Sequence, residues 1–212
     1  MNLYSGFLSQ GPGGPSCEVT TDVSFLLNAG GAENVLASQK LFLQLIATKF
    51  ILSDGHRLAV SVYGDTVEHQ IALGVSKNNK EFLASLESLA SLTGPGRLDL
   101  AINDVFNTYF NAEQVPVSSN AKVIVLIVSD NLNRSSTLCP SYLQPAAVAS
   151  EIKGEGVRVI MAAVGVNISE DFEQLFESND EIWYIRDYDE LVSAAGNFSM
   201  AVCKTSGKLR KT

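Results

Sequence analysis

The chain has 212 residues, of which 46% are hydrophobic, and a formal charge of −8. That length suits one large α/β domain with a sizeable buried core and is short for two. The acidic balance excludes a nucleic-acid surface, which needs a basic stripe, and disfavours anionic lipid headgroups. No apolar run reaches about 18 residues, so no segment is expected to insert into a membrane.

Residues 1–16 end in Gln10-Gly11-Pro12-Gly13-Gly14-Pro15-Ser16, which reads as a linker or tether. Met1-Asn2-Leu3-Tyr4 has no basic stretch followed by an apolar one, so a secretion signal is not expected within this sequence. The expectation is a piece of a longer exported chain. From residue 17 strands and helices alternate, the pattern of a mostly parallel sheet. The first strand spans 23–27 and leads into a helix over 33–49, where Val35, Leu41, Phe42, Leu45 and Ile46 make a broad apolar stripe. Ser53-Asp54-Gly55 turns the chain into a strand over 57–63. A short strand over 67–73 follows Gly64-Asp65 closely and is expected to be an antiparallel edge hairpin.

A helix is expected near 80–92, broken by Thr93-Gly94-Pro95-Gly96. The next runs over 98–111, with Leu98, Ala101, Ile102, Val105, Phe106 and Tyr109 on one face. Residues 123–128 are continuously aliphatic, as in a central strand covered on both faces. A helix over 142–153, a second buried strand over 157–164, a short helix near 170–176, a strand over 182–185 and a helix over 188–202 complete the domain. A small basic tail occupies 204–212. The expected fold is therefore α/β and doubly wound. It has a mostly parallel six-stranded sheet, helices on both faces and one antiparallel edge strand. Ligands of such folds bind beyond the carboxyl ends of the strands, where the strand order reverses. The loops after the first and fourth strands, at Asn28 and Asp130, should form that crevice.

Cys17 precedes the first strand and Cys203 follows the last helix. The two ends of a doubly wound domain often approach one another, so a 17–203 disulfide is geometrically reasonable; reduced thiols in a cytosolic protein are the alternative. Cys139 is left over, as a buried thiol or an intermolecular link. Three sequons favour export: Asn133-Arg134-Ser135, Asn167-Ile168-Ser169 and Asn197-Phe198-Ser199. Asn197 falls within a helix, which leaves Asn133 and Asn167 as the expected glycosylation sites.

Asp22-Val23-Ser24-Phe25-Leu26-Leu27 resembles the first strand of the von Willebrand factor A domain. Residues 57–63 are similar to its second strand, Ala101-Ile102 to an Ala-Leu pair in a later helix, and residues 123–130 to a strand ending in Thr-Asp-Gly. Cysteines at the positions of 17 and 203 also occur in that family. The resemblance covers residues 17–203 and implies a metal-ion-dependent adhesion site made of one aspartate and two serines after the first strand, a threonine in a second loop and an aspartate after the fourth strand. Those positions here are Asn28, Gly30, Ala32, Gly96 and Asp130, with Thr93 able to replace Gly96 only in a shifted loop. One carboxylate and one amide remain. A hard cation wants several oxygens, usually with carboxylates among them. The site therefore reads as degenerate, with no cofactor expected, unless Glu33 and Asp99 are recruited. Both otherwise read as solvated helix-end charges, Glu33 being favoured in a first turn.

Other chemistries find less support. The turn after the first strand is not Gly-x-Gly-x-x-Gly, and no Gly-x-Ser-x-Gly elbow exists. His56 and His69 fall away from the crevice and read as surface or packing residues; Trp183 and Tyr184 read as core or rim. The expected function is a non-enzymatic interaction or structural module of a secreted or matrix protein. It resembles the A domains of collagens and adhesion proteins, and its partner would be a protein, such as a matrix protein or collagen. The alternatives are cation-dependent adhesion through a weak divalent ion at Asp130 and Asn28, or an intracellular α/β enzyme with reduced cysteines.

Overall fold

A computed structural model describes residues 17–28, 33–92, 96–111, 113, 118–129, 145–168 and 173–204. In chain order its elements are strand β1 (Thr21–Asn28), helix α1 (Glu33–Ala47), β2 (Arg57–Tyr63), β3 (Val67–Ile71), α2 (Asn79–Glu87), α3 (Leu98–Tyr109), β4 (Ala121–Val128), α4 (Pro145–Gly154), β5 (Val157–Val164), β6 (Ile182–Ile185) and α5 (Tyr188–Cys203). The sheet order is β3-β2-β1-β4-β5-β6. All pairings are parallel except β2 with β3, the expected edge hairpin.

Alternation along the central strands builds two cores. Val23, Phe25 and Leu27 of β1 point to one face, with Val125 and Ile127 of β4, and meet α1, α2 and α5. Leu26, Ile124 and Leu126 point to the other face and meet α3 and α4. All eight residues of β1 and of β5 are buried. This explains the continuous aliphatic runs: a parallel strand covered on both faces has no solvent side to mark with polar residues. β3 alternates instead, with Glu68 exposed, because it lies at the edge.

Four elements end earlier than their apolar patterns predict, among them α3, which stops at Tyr109 rather than 111. α1 stops at Ala47 and α2 at Glu87 because the next amides bond three residues back, Lys49 to Ile46, Phe50 to Ala47, Ser88 to Ser85 and Leu89 to Leu86. Such tightened turns close a helix end while keeping side chains in the core. Phe50 and Leu89 stay buried beyond the helices, and that extended the apparent periodicity. β3 stops at Ile71, and Gly74 turns the chain with φ 73°. The start of α2 is capped by Asn78, whose side chain accepts from Glu81 N–H at 3.0 Å, while Glu81 Oε2 accepts from Lys77 N–H, one residue further back, at 2.8 Å. Residues 170–172 of the expected short helix and 142–144 of the helix expected over 142–153 lie outside the described residues.

The two ends of the domain are joined. Cys17 and Cys203 form a disulfide with Cα atoms 5.1 Å apart. A polar clamp lies at the amino ends of the strands. Asp22, 1% exposed, is gripped by Arg57 Nε at 2.7 Å and by Arg57 Nη2, and accepts from Asn120 Nδ2 at 2.8 Å. Asp22 holds the Arg57 guanidinium above its ordinary pKa. The acidic residue that opens β1 is thus a tie between three strands, at the end of the sheet opposite the crevice.

Candidate functional site

The order of the sheet reverses at β1, whose neighbours are β2 on one side and β4 on the other. Loops leaving adjacent strands at such a point diverge and open a crevice. Two of the five ligand positions implied by resemblance, Asn28 and Gly96, lie among the described residues; Gly30, Ala32 and Asp130 lie outside them, as does Thr93.

Asn28 ends β1 and is 2% exposed. In the parallel register it stands beside Tyr63, the last residue of β2, whose ring is fully buried. Gly96 lies directly over this pair. A Cβ at position 96 would come within 3.0 Å of Tyr63 Cε2 and 3.3 Å of Asn28 Nδ2. The backbone of Gly96 is not left-handed. Close approach, rather than an unusual dihedral, therefore makes this a tight position for any side chain, which Tyr63 and Asn28 would have to yield to by a few tenths of an ångström.

The next residue fastens the loop. Arg97 N–H donates to the Gly64 carbonyl at 3.0 Å, tying the start of α3 to the turn after β2. Its guanidinium holds Asp99 through Nε to Oδ1 at 3.0 Å and Nη2 to Oδ2 at 2.9 Å. Both side chains are largely buried. A bidentate pair engages both carboxylate oxygens. Asp99, available on sequence grounds for recruitment to a cation, is already neutralised by a resident one. The side chain of Glu33 lies outside the described residues. Among the described residues, no group of three or more His, Cys, Asp or Glu could hold a metal ion.

Tyr63 and Arg97 were not singled out by the sequence reading. Tyr63 was legible in principle, because it ends the strand beside Asn28 and shares its face by parity. Arg97 had no signal: it precedes the helix, so no helical spacing couples it to Asp99.

The histidines are placed by packing. His56 is 5% exposed, accepts from Thr21 N–H through Nδ1 at 3.1 Å and meets the Phe50 ring edge-on at 5.5 Å. Burial lowers its pKa below 6.5, against the opposing pull of Asp54. His69 lies between Ser61 Oγ, at 2.8 Å from Nδ1, and Asp104 Oδ2, at 2.7 Å from Nε2. The residue types are those of a hydrolase triad. Ser61, however, is fully buried, and a nucleophile needs a reacting carbonyl about 3 Å away. The cluster instead fastens edge strand β3 to α3, with Tyr109 packed edge-on against His69 at 5.2 Å. Burial raises the pKa of the Tyr109 hydroxyl.

Elsewhere, Trp183 packs edge-on against Phe198 at 5.4 Å, whereas Tyr184 beside it is 56% exposed. Asn167 is exposed, and Asn133 and Cys139 lie outside the described residues. At the third sequon the Ser199 hydroxyl is 1% exposed and donates to the Gly196 carbonyl at 2.7 Å.

This layout of sheet and crevice is that of a doubly wound α/β domain. The family model for the von Willebrand factor type A domain matches residues 22–196, and the chain belongs to that family. Domains of this family generally serve as interaction modules. No curated protein matches the sequence. Among solved structures, proximal thread matrix protein 1 from the mussel byssus superposes with a TM-score of 0.76 at 17% identity, over 89% of this chain and 48% of that one. A form of the same protein with a zinc-occupied MIDAS motif gives 0.73 at 17% identity, over 89% and 47%. A von Willebrand factor type A structure from Catenulispora acidiphila gives 0.63 at 14% identity, over 89% and 43%. At these identities the likeness is one of fold, and the chain spans about half the length of the byssus protein. Among the described residues, no helix is long and apolar enough to cross a membrane.

Proposed function

We propose that this domain is a non-enzymatic interaction or structural module of an extracellular matrix protein, and that it engages its protein partner without a bridging cation. The observation that carries the reading is the packing of Gly96 onto Tyr63 and Asn28, beside an Asp99 already claimed by Arg97. An amide and a glycine cannot outcompete the hydration shell of a hard cation, which holds to near-octahedral oxygen geometry. A matrix protein among the structural neighbours supports the setting. So does the Cys17–Cys203 bridge, a feature of oxidising compartments. The partner class that fits is a matrix protein, collagen included. Asn133 and Asn167 are the positions proposed to carry glycans.

Isothermal titration with Mg²⁺, Mn²⁺ and Ca²⁺ tests the cation-independent part. No heat beyond dilution is expected at micromolar to millimolar cation. Micromolar binding that disappears in Asp130→Ala would overturn it, as would partner binding abolished by EDTA.

A further inference from the structure

At the end of β5, Gly165 turns the chain with φ 66° and donates its N–H to the Ile185 carbonyl at 2.7 Å. The residues after it alternate. Val166 is buried and Ile168 packs against the core under α3 and α4, so Asn167 between them faces solvent. β6 runs alongside, with Ala163 paired to Tyr184 and Val164 to Ile185. Asn167 and Tyr184 line one open groove of about 440 Å³, together with Arg186 and Glu190.

We propose that the sequon Asn167-Ile168-Ser169 carries an N-linked glycan whose first sugars lie in this groove against the ring of Tyr184. The inference rests on reading the chain as an exported protein. A pyranose presents a face of C–H groups and a rim of hydroxyls. Tyr184 matches it with an exposed apolar ring and a polar tip. Arg186, whose side chain is 81% exposed, and Glu190 place a donor and an acceptor at the other wall. Arg186 Nε donates to Asp187, and a guanidinium has further N–H groups for sugar hydroxyls. A second observation points the same way. β6 is one of the two edge strands of the sheet, and an edge presents unpaired N–H and C=O groups to which another chain can pair. A bulky hydrophilic group rooted at Asn167 covers that edge.

The test uses the full chain secreted from mammalian cells behind an added signal sequence, so the result does not depend on the native compartment. Glycopeptide mass mapping should find Asn167 occupied. Peptide-N-glycosidase should release that glycan more slowly from the native protein than from the denatured one. Tyr184→Ala should speed native release roughly three- to tenfold, the population shift that one aromatic contact supplies, while Tyr184→Trp should leave it slow. Independently of any variant, nuclear Overhauser contacts should join the Tyr184 ring protons to the first sugar. An unmodified Asn167, equal release from wild type and Tyr184→Ala, or the absence of those contacts overturns the proposal. Free thiols at Cys17 and Cys203 in protein from its natural source would overturn the extracellular setting, and with it the glycan in that source, even where the secreted protein shows Asn167 occupied and the Tyr184 contact made.

Discussion

At position 96 the missing side chain and the buried Tyr63 ring are two halves of one packing solution. The sequence shows a glycine where the family resemblance implies a threonine; only the structure tells what packs against it. The same scale governs His56, which no motif marked. Its neutral Nδ1 accepts the Thr21 amide, and burial holds its folded-state pKa below 6.5. A group lowered in this way contributes its full stability above the unfolded value. That contribution is lost as pH falls from about 6.5 through the folded-state value, because the unfolded chain binds the proton first. Thermal unfolding followed between pH 8 and pH 5 (the range spanning that window) should show Tm falling below pH 6.5. In His56→Phe that part of the slope should disappear, and stability at pH 8 should drop by about 1–3 kcal/mol because the Thr21 N–H loses its partner.

Elements were the most legible level. β2, β5 and β6 begin and end at the residues their composition indicates, and α3 keeps its expected apolar face. Strong patterns are local: a strand buried on both faces and a helix buried on one impose different periods on consecutive residues. Element ends were less legible, because tightened last turns at α1 and α2 keep apolar residues in the core after the helix stops. One charge inside a strand also escaped notice. Arg158, within the aliphatic run of β5, is 9% exposed and reaches Glu181 Oε1 through Nε at 2.6 Å. Its Nη1 also donates to the carbonyls of Ala201 and Lys204 at 2.8 Å and 2.6 Å, so β5, the turn before β6 and the end of α5 share one guanidinium. Arg158→Met should cost about 3–5 kcal/mol in urea unfolding, since it strands a buried carboxylate. Adding Glu181→Leu should recover most of that loss, because it removes the stranded charge.

For the whole molecule the governing link is Cys17–Cys203, which joins residues 186 apart in sequence. In the chain-entropy account, closing so long a loop removes freedom mainly from the unfolded state and contributes about 5 kcal/mol. Guanidinium unfolding with and without reductant should show a large fall in midpoint on reduction. Cys203→Ser should match the reduced wild type and should not respond to reductant. A small change would mean that the unfolded chain is already compact at its ends.

Residue order alone carries the layout of this domain: the alternation of strands and helices, the antiparallel edge and the central buried strands. These follow from neighbours along the chain, where hydrophobic period and residue type act directly. The tertiary structure alone decided which side chains meet. Tyr63 under Gly96, Ser61 buried beneath His69 and Tyr184 across a groove from Asn167 are outcomes of strand order and loop path. Crossovers in a parallel sheet bring together residues far apart in sequence. No local period encodes such pairs.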